Sequence, residues 1–392
     1  MKILSFGDLF LGGRITNENK LERLFSENLK EYINKADFRI ANLESPIMYD
    51  DSPNSDCSPW PKKLLQVAPE RMVKLLKILN INYVSLANNH MFDYGEEGMK
   101  ETIEILKKSN ILFSGAGLNI NEALKPAVFK YNNLEIAIHS LCEHNDLFLK
   151  MIVPATKNHY GVATITEENL EKIKNFSKKY DINILTLHWG RENLIYPSPY
   201  QKEFFNEYSN FFPIILGNHS HVPMRVDKGK DRLVVYSHGN FIFDEFFYNK
   251  PSIIVNNKEF KDYQITYDLP SPVKKPTLKK WDKLKRTSII LEINIDEKNK
   301  RIKEVDKKYI YFDQEKREID FLNKNDILYL EKNLYRDYDY NIELEKWKNE
   351  NNKRLKRQIP LSFNLYGKLL YKVKKFLIKF KLVKFFKRKI LS

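Results

Sequence analysis

Five times in the first 221 residues, a short apolar run ends in polar side chains able to bind a metal or a substrate. Phe6-Gly7-Asp8 closes the first and Ala41-Asn42-Leu43-Glu44 the second. Leu86-Ala87-Asn88-Asn89-His90, Leu187-His188-Trp189-Gly190 and Gly217-Asn218-His219-Ser220-His221 close the others. Between these runs lie amphipathic stretches, such as the one placing Leu21, Leu24, Phe25, Leu29 and Ile33 at helical spacing. Strands alternating with helices specify an α/β architecture in which crossover helices cover a sheet. The carboxyl ends of strands form the ligand crevice in such sheets. One sequence feature thus constrains both the fold class and the place of its chemistry.

The periodicity predicts strands over residues 2–6, 37–42, 82–87, 134–139, 181–188 and 213–216. Helices are predicted over 21–34, 69–79, 95–108, 167–179 and 198–209. Residues 1–246 read as the main domain. Residues 247–285 are rich in Pro, Lys, Asn and Tyr and read as an insertion or lid loop. A strand pair over 286–296 and 301–312 and two polar helices over 324–336 and 342–352 then complete the body. Residues 353–392 form a separate basic tail.

The charge is as uneven as this division suggests. The chain has 392 residues, with 66 Lys+Arg against 51 Asp+Glu. Residues 353–392 hold 14 basic residues and no acid, leaving 52 basic and 51 acidic residues in the first 352. A near-neutral body argues against nucleic-acid binding, which needs a basic folded face. No apolar run reaches the 18 or so residues of a membrane span. The start, Met1-Lys2-Ile3-Leu4-Ser5-Phe6, reads as a strand rather than a signal peptide. Cys57 and Cys142 lack C-x-x-C spacing, so neither a structural zinc site nor a disulfide framework is expected. A reducing, cytoplasmic setting follows.

Asp, Glu, Asn and His converging at strand ends are oxygen and imidazole donors suited to Mn, Fe or Zn. Each has a blander reading. Asp8 alone would serve as a turn or cap residue, and lone His139 or His144 as structural histidines. His219-x-His221 could reach one metal pair from near a turn, or simply share a strand face. Arg191 and Glu192, just after His188, could hold substrate or form a surface ion pair. Residues 50–61, with three prolines, could shape a rim or merely connect. The ordered set of strand ends is more specific than any of its members.

Taken together, these residues resemble the CapA-type family of bacterial capsule and poly-γ-glutamate synthesis proteins. The matching text includes Gly7-Asp8, Asn42-Leu43-Glu44-Ser45-Pro46 and Ser85-Leu86-Ala87-Asn88-Asn89-His90-Met91-Phe92-Asp93-Tyr94-Gly95. It continues with Ser114-Gly115-Ala116-Gly117, His188-Trp189-Gly190-Arg191-Glu192, Gly217-Asn218-His219-Ser220-His221-Val222 and Tyr236-Ser237-His238-Gly239-Asn240-Phe241. The resemblance implies a calcineurin-like metallophosphoesterase fold, a four-layer α/β/β/α sandwich with one or two divalent ions at the strand ends. It implies Asp8 and His221 as ligands of a first metal and Glu44 as a bridging carboxylate. Asn89, His188 and His219 correspond to ligands of a second metal. His90 corresponds to the residue serving the leaving group, with Asp93 close enough to orient it, and Asn42, Arg191 and Glu192 are candidate substrate contacts. The implied activity is a metal-dependent hydrolase or transferase acting on a phosphoester or related anionic bond. The alternative is a non-catalytic assembly factor that binds anionic polymer or a polymer synthase. Two departures stand out. Phe10 occupies the second ligand position of the usual Asp-x-His, and His238 sits where an apolar residue is expected, either as an extra site residue or as a hydrogen-bonded core histidine.

In the tail, Tyr366, Leu369, Leu370, Val373, Phe376, Leu377, Phe380 and Val383 share one helical face, opposite Lys368, Lys372, Lys375 and Lys379. Such a cationic amphipathic helix suits an anionic membrane surface, with about 1 kcal/mol of attraction per basic residue. This predicts a peripheral position on the inner face of the membrane. A partner protein, another polyanion or plain solvation are the other readings.

Overall fold

The computed structural model describes residues 1–12, 15, 20–49, 65–143, 152–248, 252–255, 265–268 and 277–358. The chain divides into two compact units. The first comprises Met1–Phe247 with Leu278–Glu343, and the second Tyr248–Thr277 with Leu344–Ser392. In the second unit, strands Ser252–Val255 and Ile265–Asp268 pair antiparallel. The tail residues Lys368, Lys372, Lys375, Phe376, Lys379 and Phe380 lie outside the described residues, as do residues 50–64 and His144.

The first unit is built on two sheets. In chain order its first half contains β1 (Lys2–Phe10), α1 (Glu27–Asn34), β2 (Phe38–Leu43), α2 (Pro69–Ile78), β3 (Tyr83–Ser85), α3 (Gly95–Lys108) and β4 (Leu112–Ser114). Then follow β5 (Ala116–Gly117), α4 (Ile120–Leu124), β6 (Ala127–Tyr131), β7 (Leu134–Cys142), β8 (Gly161–Val162), α5 (Glu167–Ser177), β9 (Ile182–His188), α6 (Pro199–Tyr208) and β10 (Ile214–Asn218). Strands β11 (Val226–Gly229), β12 (Arg232–Val235) and β13 (Asn240–Phe243) precede the insertion. Thr287–Asp296, Arg301–Asp313 and Glu318–Phe321 follow it, ahead of helix Lys324–Leu334 and the start of helix Tyr340–Gln358, most of which belongs to the second unit.

The eight-stranded sheet runs Glu318–Phe321, Arg301–Asp313, Thr287–Asp296, β1, β2, β3, β4, with β13 also paired to β1. The six-stranded sheet runs β11-β12-β10-β9-β7-β6. Side-chain alternation sorts the apolar residues into three cores. Ile3, Ile40, Tyr83 and Ile289 of the larger sheet pack with Ile136, Ile138, Ile184, Ile214 and Leu216 of the smaller, filling the space between sheets. Leu4, Phe6, Ala41 and Val84 point the other way, under Leu29 and Ile33 of α1, Leu75 of α2 and Met99 of α3. Leu185, Leu187 and Ile215 face outward on the smaller sheet, under α4, α5 and α6. Those layers give the four-layer α/β/β/α sandwich.

Two local features differ from the sequence reading. The helix expected over 21–34 is broken: Leu21–Leu24 forms a 3-10 turn, and α1 starts only at Glu27. Ser26 explains the break, since its side chain accepts a hydrogen bond from the Leu29 amide and caps α1. The sequence pattern also passed over the short strands β4, β6, β11, β12 and β13.

His238 is a core histidine. Fully buried, it lies 2.9 Å through Nε2 from Ser5 Oγ on β1 and 2.9 Å through Nδ1 from the Gly217 carbonyl on β10. It therefore ties one sheet to the other beneath the strand ends. Burial pushes its pKa down to about 4.

Candidate metal centre

The strand ends of both sheets meet at one point. Along β1 the pairing register slips on both sides of Asp8, which lies opposite Asn42 of β2 and Asn240 of β13. Such irregularities re-aim a side chain at a strand end. Gly7 makes the close approach possible, because a Cβ there would lie 1.8 Å from the Gly239 carbonyl oxygen. Glu44 follows β2, its amide bonded to the Leu9 carbonyl. After β3, Asn88 donates its side-chain amide to the Leu43 carbonyl at 2.8 Å, which pins the loop carrying Asn89 and His90. His188 ends β9. Beyond β10, His219 and His221 adopt φ of +92° and +57°, a strained backbone for residues with a Cβ. That turn aims both imidazoles back at the crevice.

The buried donors cluster tightly. His188 Nε2 lies 2.8 Å from Asn89 Oδ1, 2.9 Å from His219 Nδ1 and 3.7 Å from Glu44 Oε1. On the other side of Glu44, His221 Nε2 is 3.8 Å from Glu44 Oε1, and His221 Nδ1 is 3.5 Å from Asp8 Oδ2. Glu44, His188 and His219 form one group whose donor atoms lie within 4.8 Å of one another, and Asp8, Glu44 and His221 form another. Glu44 is common to both. The six residues that the sequence marks as metal ligands thus converge, Asn89 through its contact with His188.

The electrostatics of the ligand-free site are unfavourable. Glu44 is fully buried, and neither of its oxygens receives a hydrogen bond among the described residues. Burial first, then the Asp8 charge, raises its carboxyl well above the usual range. His188 lies well below the ordinary histidine value, through burial and then its histidine neighbours. Burial brings His219 down to about 4. Buried imidazoles beside two buried carboxyl groups, of which Glu44 has no hydrogen-bond donor, are what a divalent cation would satisfy. The donor set therefore fits a divalent metal.

His90 sits at the edge, half-buried. Its Nδ1 is 2.6 Å from Asp93 Oδ2, which also accepts the Leu65 amide at 2.7 Å. Two contacts thus fix the Asp93 carboxylate against the ring. Asn42, read from sequence as a substrate contact, is instead buried beneath the donors. Its side-chain amide donates to Asp8 Oδ1 at 2.8 Å and lies 3.3 Å from His188 Nδ1. Glu192 is near enough for its charge to act on Glu44 and His219, whereas Arg191 hydrogen-bonds Tyr340. Phe10 packs on Phe243 with ring centroids 4.9 Å apart, and Phe243 in turn meets His221 and Trp281. An aromatic wall thus stands where the usual second ligand of β1 would be. The sequence reading missed Trp281 and the site role of Asn240. The Ser-x-Gly-Asn-Phe stretch carrying Asn240 was the available signal.

The two sheets, their crevice and its shared carboxylate define the class, an α/β sandwich with a candidate divalent-metal centre at its strand ends. The profile of the bacterial capsule synthesis protein family, PGA_cap, matches residues 2–245, and the chain belongs to that family. It is 29% identical over 248 residues to "Capsule biosynthesis protein CapA" of Bacillus anthracis, covering 61% of this chain and 59% of that protein. The match therefore spans about three fifths of that relative's length. To "PGA biosynthesis protein CapA" of Bacillus subtilis (strain 168) it is 28% identical over 306 residues, covering 74% and 77%. Among solved structures, a hypothetical protein from Thermus thermophilus aligns with a TM-score of 0.42 at 15% identity, covering 79% of this chain and 98% of that one. A putative 5'-nucleotidase from Staphylococcus aureus aligns at 0.44 and 13% identity, covering 85% and 58%. No helix among the described residues is long and apolar enough to cross a membrane.

Proposed function

We propose that this chain is a metal-dependent hydrolase or transferase that acts on a phosphoester or related anionic bond during capsule or surface-polymer synthesis. The observation that carries this reading is Glu44, a buried carboxylate without a hydrogen-bond donor, shared by two donor groups. Asp8, Glu44 and His221 would hold one cation, and Glu44, Asn89, His188 and His219 the other. When bound, a divalent pair supplies Lewis acidity at an anionic oxygen and lowers the pKa of water. Mn, Fe and Zn all accept these donors.

The chain's own groups then do the positioning. Asn42 holds Asp8 and His188 in place. Asp93 holds His90 through Nδ1, so that Nε2 is the nitrogen not engaged by this carboxylate. Nε2 would then be the nitrogen that serves the leaving-group oxygen. Glu192 and Arg191 form the rim that meets the anionic substrate. The B. subtilis relative's name, with PGA in it, makes an anionic polymer such as poly-γ-glutamate the favoured product class. The basic tail, with Lys368, Lys372, Lys375 and Lys379 opposite Phe376 and Phe380, would hold the chain on an anionic membrane beside a polymer synthase.

Phe10 favours a second reading, in which the crevice binds anionic polymer without turning it over and the chain acts as an assembly factor. Metal analysis and turnover of an aryl phosphate with added Mn separate the two. The first reading expects bound metal and a rate lost in both Glu44→Ala and His90→Ala. Equal rates in all three proteins would reject it for that substrate class, and no metal after Mn loading would favour the second. For the tail, deleting residues 359–392 is expected to abolish binding to anionic liposomes and leave turnover intact. Unchanged liposome binding would reject the membrane role.

A further inference from the structure

Asn240 lies opposite Asp8 in the pairing of β13 with β1, and its side chain is buried between two partners. Its Nδ2 donates to the Lys285 carbonyl at 2.9 Å, and its Oδ1 lies 2.9 Å from His221 Nδ1. A backbone carbonyl can only accept, so the Lys285 contact fixes which end of the amide carries its hydrogens. Oδ1 therefore faces His221, and an oxygen acceptor requires a proton on Nδ1. Asp8 Oδ2, 3.5 Å from the same nitrogen, is a second acceptor and makes the same demand. The neutral ring then keeps its lone pair on Nε2, which is the nitrogen 3.8 Å from Glu44 Oε1.

We propose that Asn240 is the positioning residue of the first cation site, holding His221 in the Nδ1–H form so that Nε2 is the metal-binding nitrogen. The inference rests on the metal-dependent reading above. The last residues of the 247–285 segment, which belong to the first unit, complete the device. Lys285 supplies the carbonyl, and Trp281 lies against the imidazole with ring centroids 5.4 Å apart. Trp281 is itself anchored, donating from Nε1 to the Asp244 carbonyl at 3.1 Å and from its amide to Glu245 Oε1 at 3.3 Å. The ring is thus held on one edge by a hydrogen bond and flanked by Trp281 and Phe243. This matters most in this group because Phe10 contributes no ligand. With three protein donors rather than four, one imidazole in the wrong tautomer would leave only two carboxylates. Groups that hold the far nitrogen of a ligating histidine affect metal affinity by about 10–100-fold.

The test measures cation stoichiometry and affinity by calorimetry with Mn for the full chain, Asn240→Leu and Asn240→Asp. Tautomers are read separately from 15N shifts of histidine-labelled metal-free protein. The wild type is expected to bind two cations. Asn240→Leu should weaken one of them by about 10–100-fold and keep the other, the retained site reporting a folded crevice. Asn240→Asp gives up the Lys285 contact but still offers an oxygen to Nδ1, and should keep both. Two cations at wild-type affinity in Asn240→Leu would overturn the proposal, as would an Nε2–H signal for His221 in the wild type. A wild type that binds a single cation, unaffected by Asn240→Leu, would overturn it while leaving the metal-dependent reading intact. A wild type that binds none would overturn both. Should Asn240→Leu fail to fold, the wild-type tautomer and the Asn240→Asp stoichiometry decide.

Discussion

The two halves of the crevice share Glu44 and differ in almost everything else. One half surrounds His188 Nε2 with an amide oxygen, a second imidazole and the shared carboxylate, the four residues coming from the ends of four different strands. The other has two carboxylates and one imidazole, backed by the rings of Phe10, Phe243 and Trp281. The first half is rich in neutral donors. The second concentrates negative charge and has fewer ligands. A cation in the lean half would relieve the repulsion between Asp8 and Glu44, whereas one in the rich half would be held by donor number. The two sites should therefore differ in affinity and in pH dependence, and Glu44 should be the one residue that neither can lose.

The largest expected effect comes from Glu44→Gln. Mn-dependent turnover should fall by more than about 10³-fold. Melting curves with and without Mn should become superimposable, where the wild type gains about 2.7 kcal/mol for each site at a hundredfold excess over its Kd. A variant still stabilised by Mn would show that the halves do not depend on a shared carboxylate. His90→Ala comes next. It should lower turnover by about 10²–10⁴-fold while leaving metal content at the wild-type level. Metal loss in His90→Ala would move His90 from the edge of the comparison into it.

Protonation offers a gentler probe. The Glu44 pKa is raised, so its protonated form stabilises the metal-free fold, and that stability is lost as pH rises from the ordinary carboxylate range through the raised value. His219 and His238 are shifted the other way, to about 4. Their contribution is present above about pH 6.5 and is lost as pH falls toward 4. Chemical denaturation of metal-free protein across pH should show both arms, and Mn should flatten the alkaline one. A metal-free protein with no alkaline loss would contradict the unpaired state of Glu44. The smallest effect is expected from Phe10→His, which adds a donor to the lean half. First-site affinity should rise by about tenfold, within the range that changes beside a ligand produce. Lost packing on Phe243 should cost about 1–3 kcal/mol, read from denaturant midpoints.

Much of this was legible in sequence because each ligand abuts an apolar strand. Asp8, Glu44, His188 and His219 are all adjacent or nearly adjacent to residues that the hydrophobic pattern places in sheets, so chain order alone put them at one end. The four layers were implied by the resemblance, and the structure builds them by alternation, with Ile214 and Leu216 facing inward and Ile215 outward. What escaped depends on contacts distant in the chain. Asn240 gains its role from β13 pairing with β1 and from the Lys285 carbonyl, neither of which leaves a local pattern. His238 was legible as an oddity, but its tie from Ser5 to Gly217 exists only once the two sheets pack. Asn42, a candidate substrate contact in the sequence, has contacts that no local pattern shows: its amide donates to Asp8 and lies beside His188. The Ser26 cap overrode the helical spacing of residues 21–34 for a purely local reason.

The central claim is that one buried carboxylate serves two cations. Crystals of the full chain soaked in Mn and measured by anomalous scattering test it directly. The account predicts two peaks flanking Glu44, one beside His188, His219 and Asn89 and the other beside Asp8 and His221. A crevice without a peak, or a single peak that Glu44 does not touch, would contradict it.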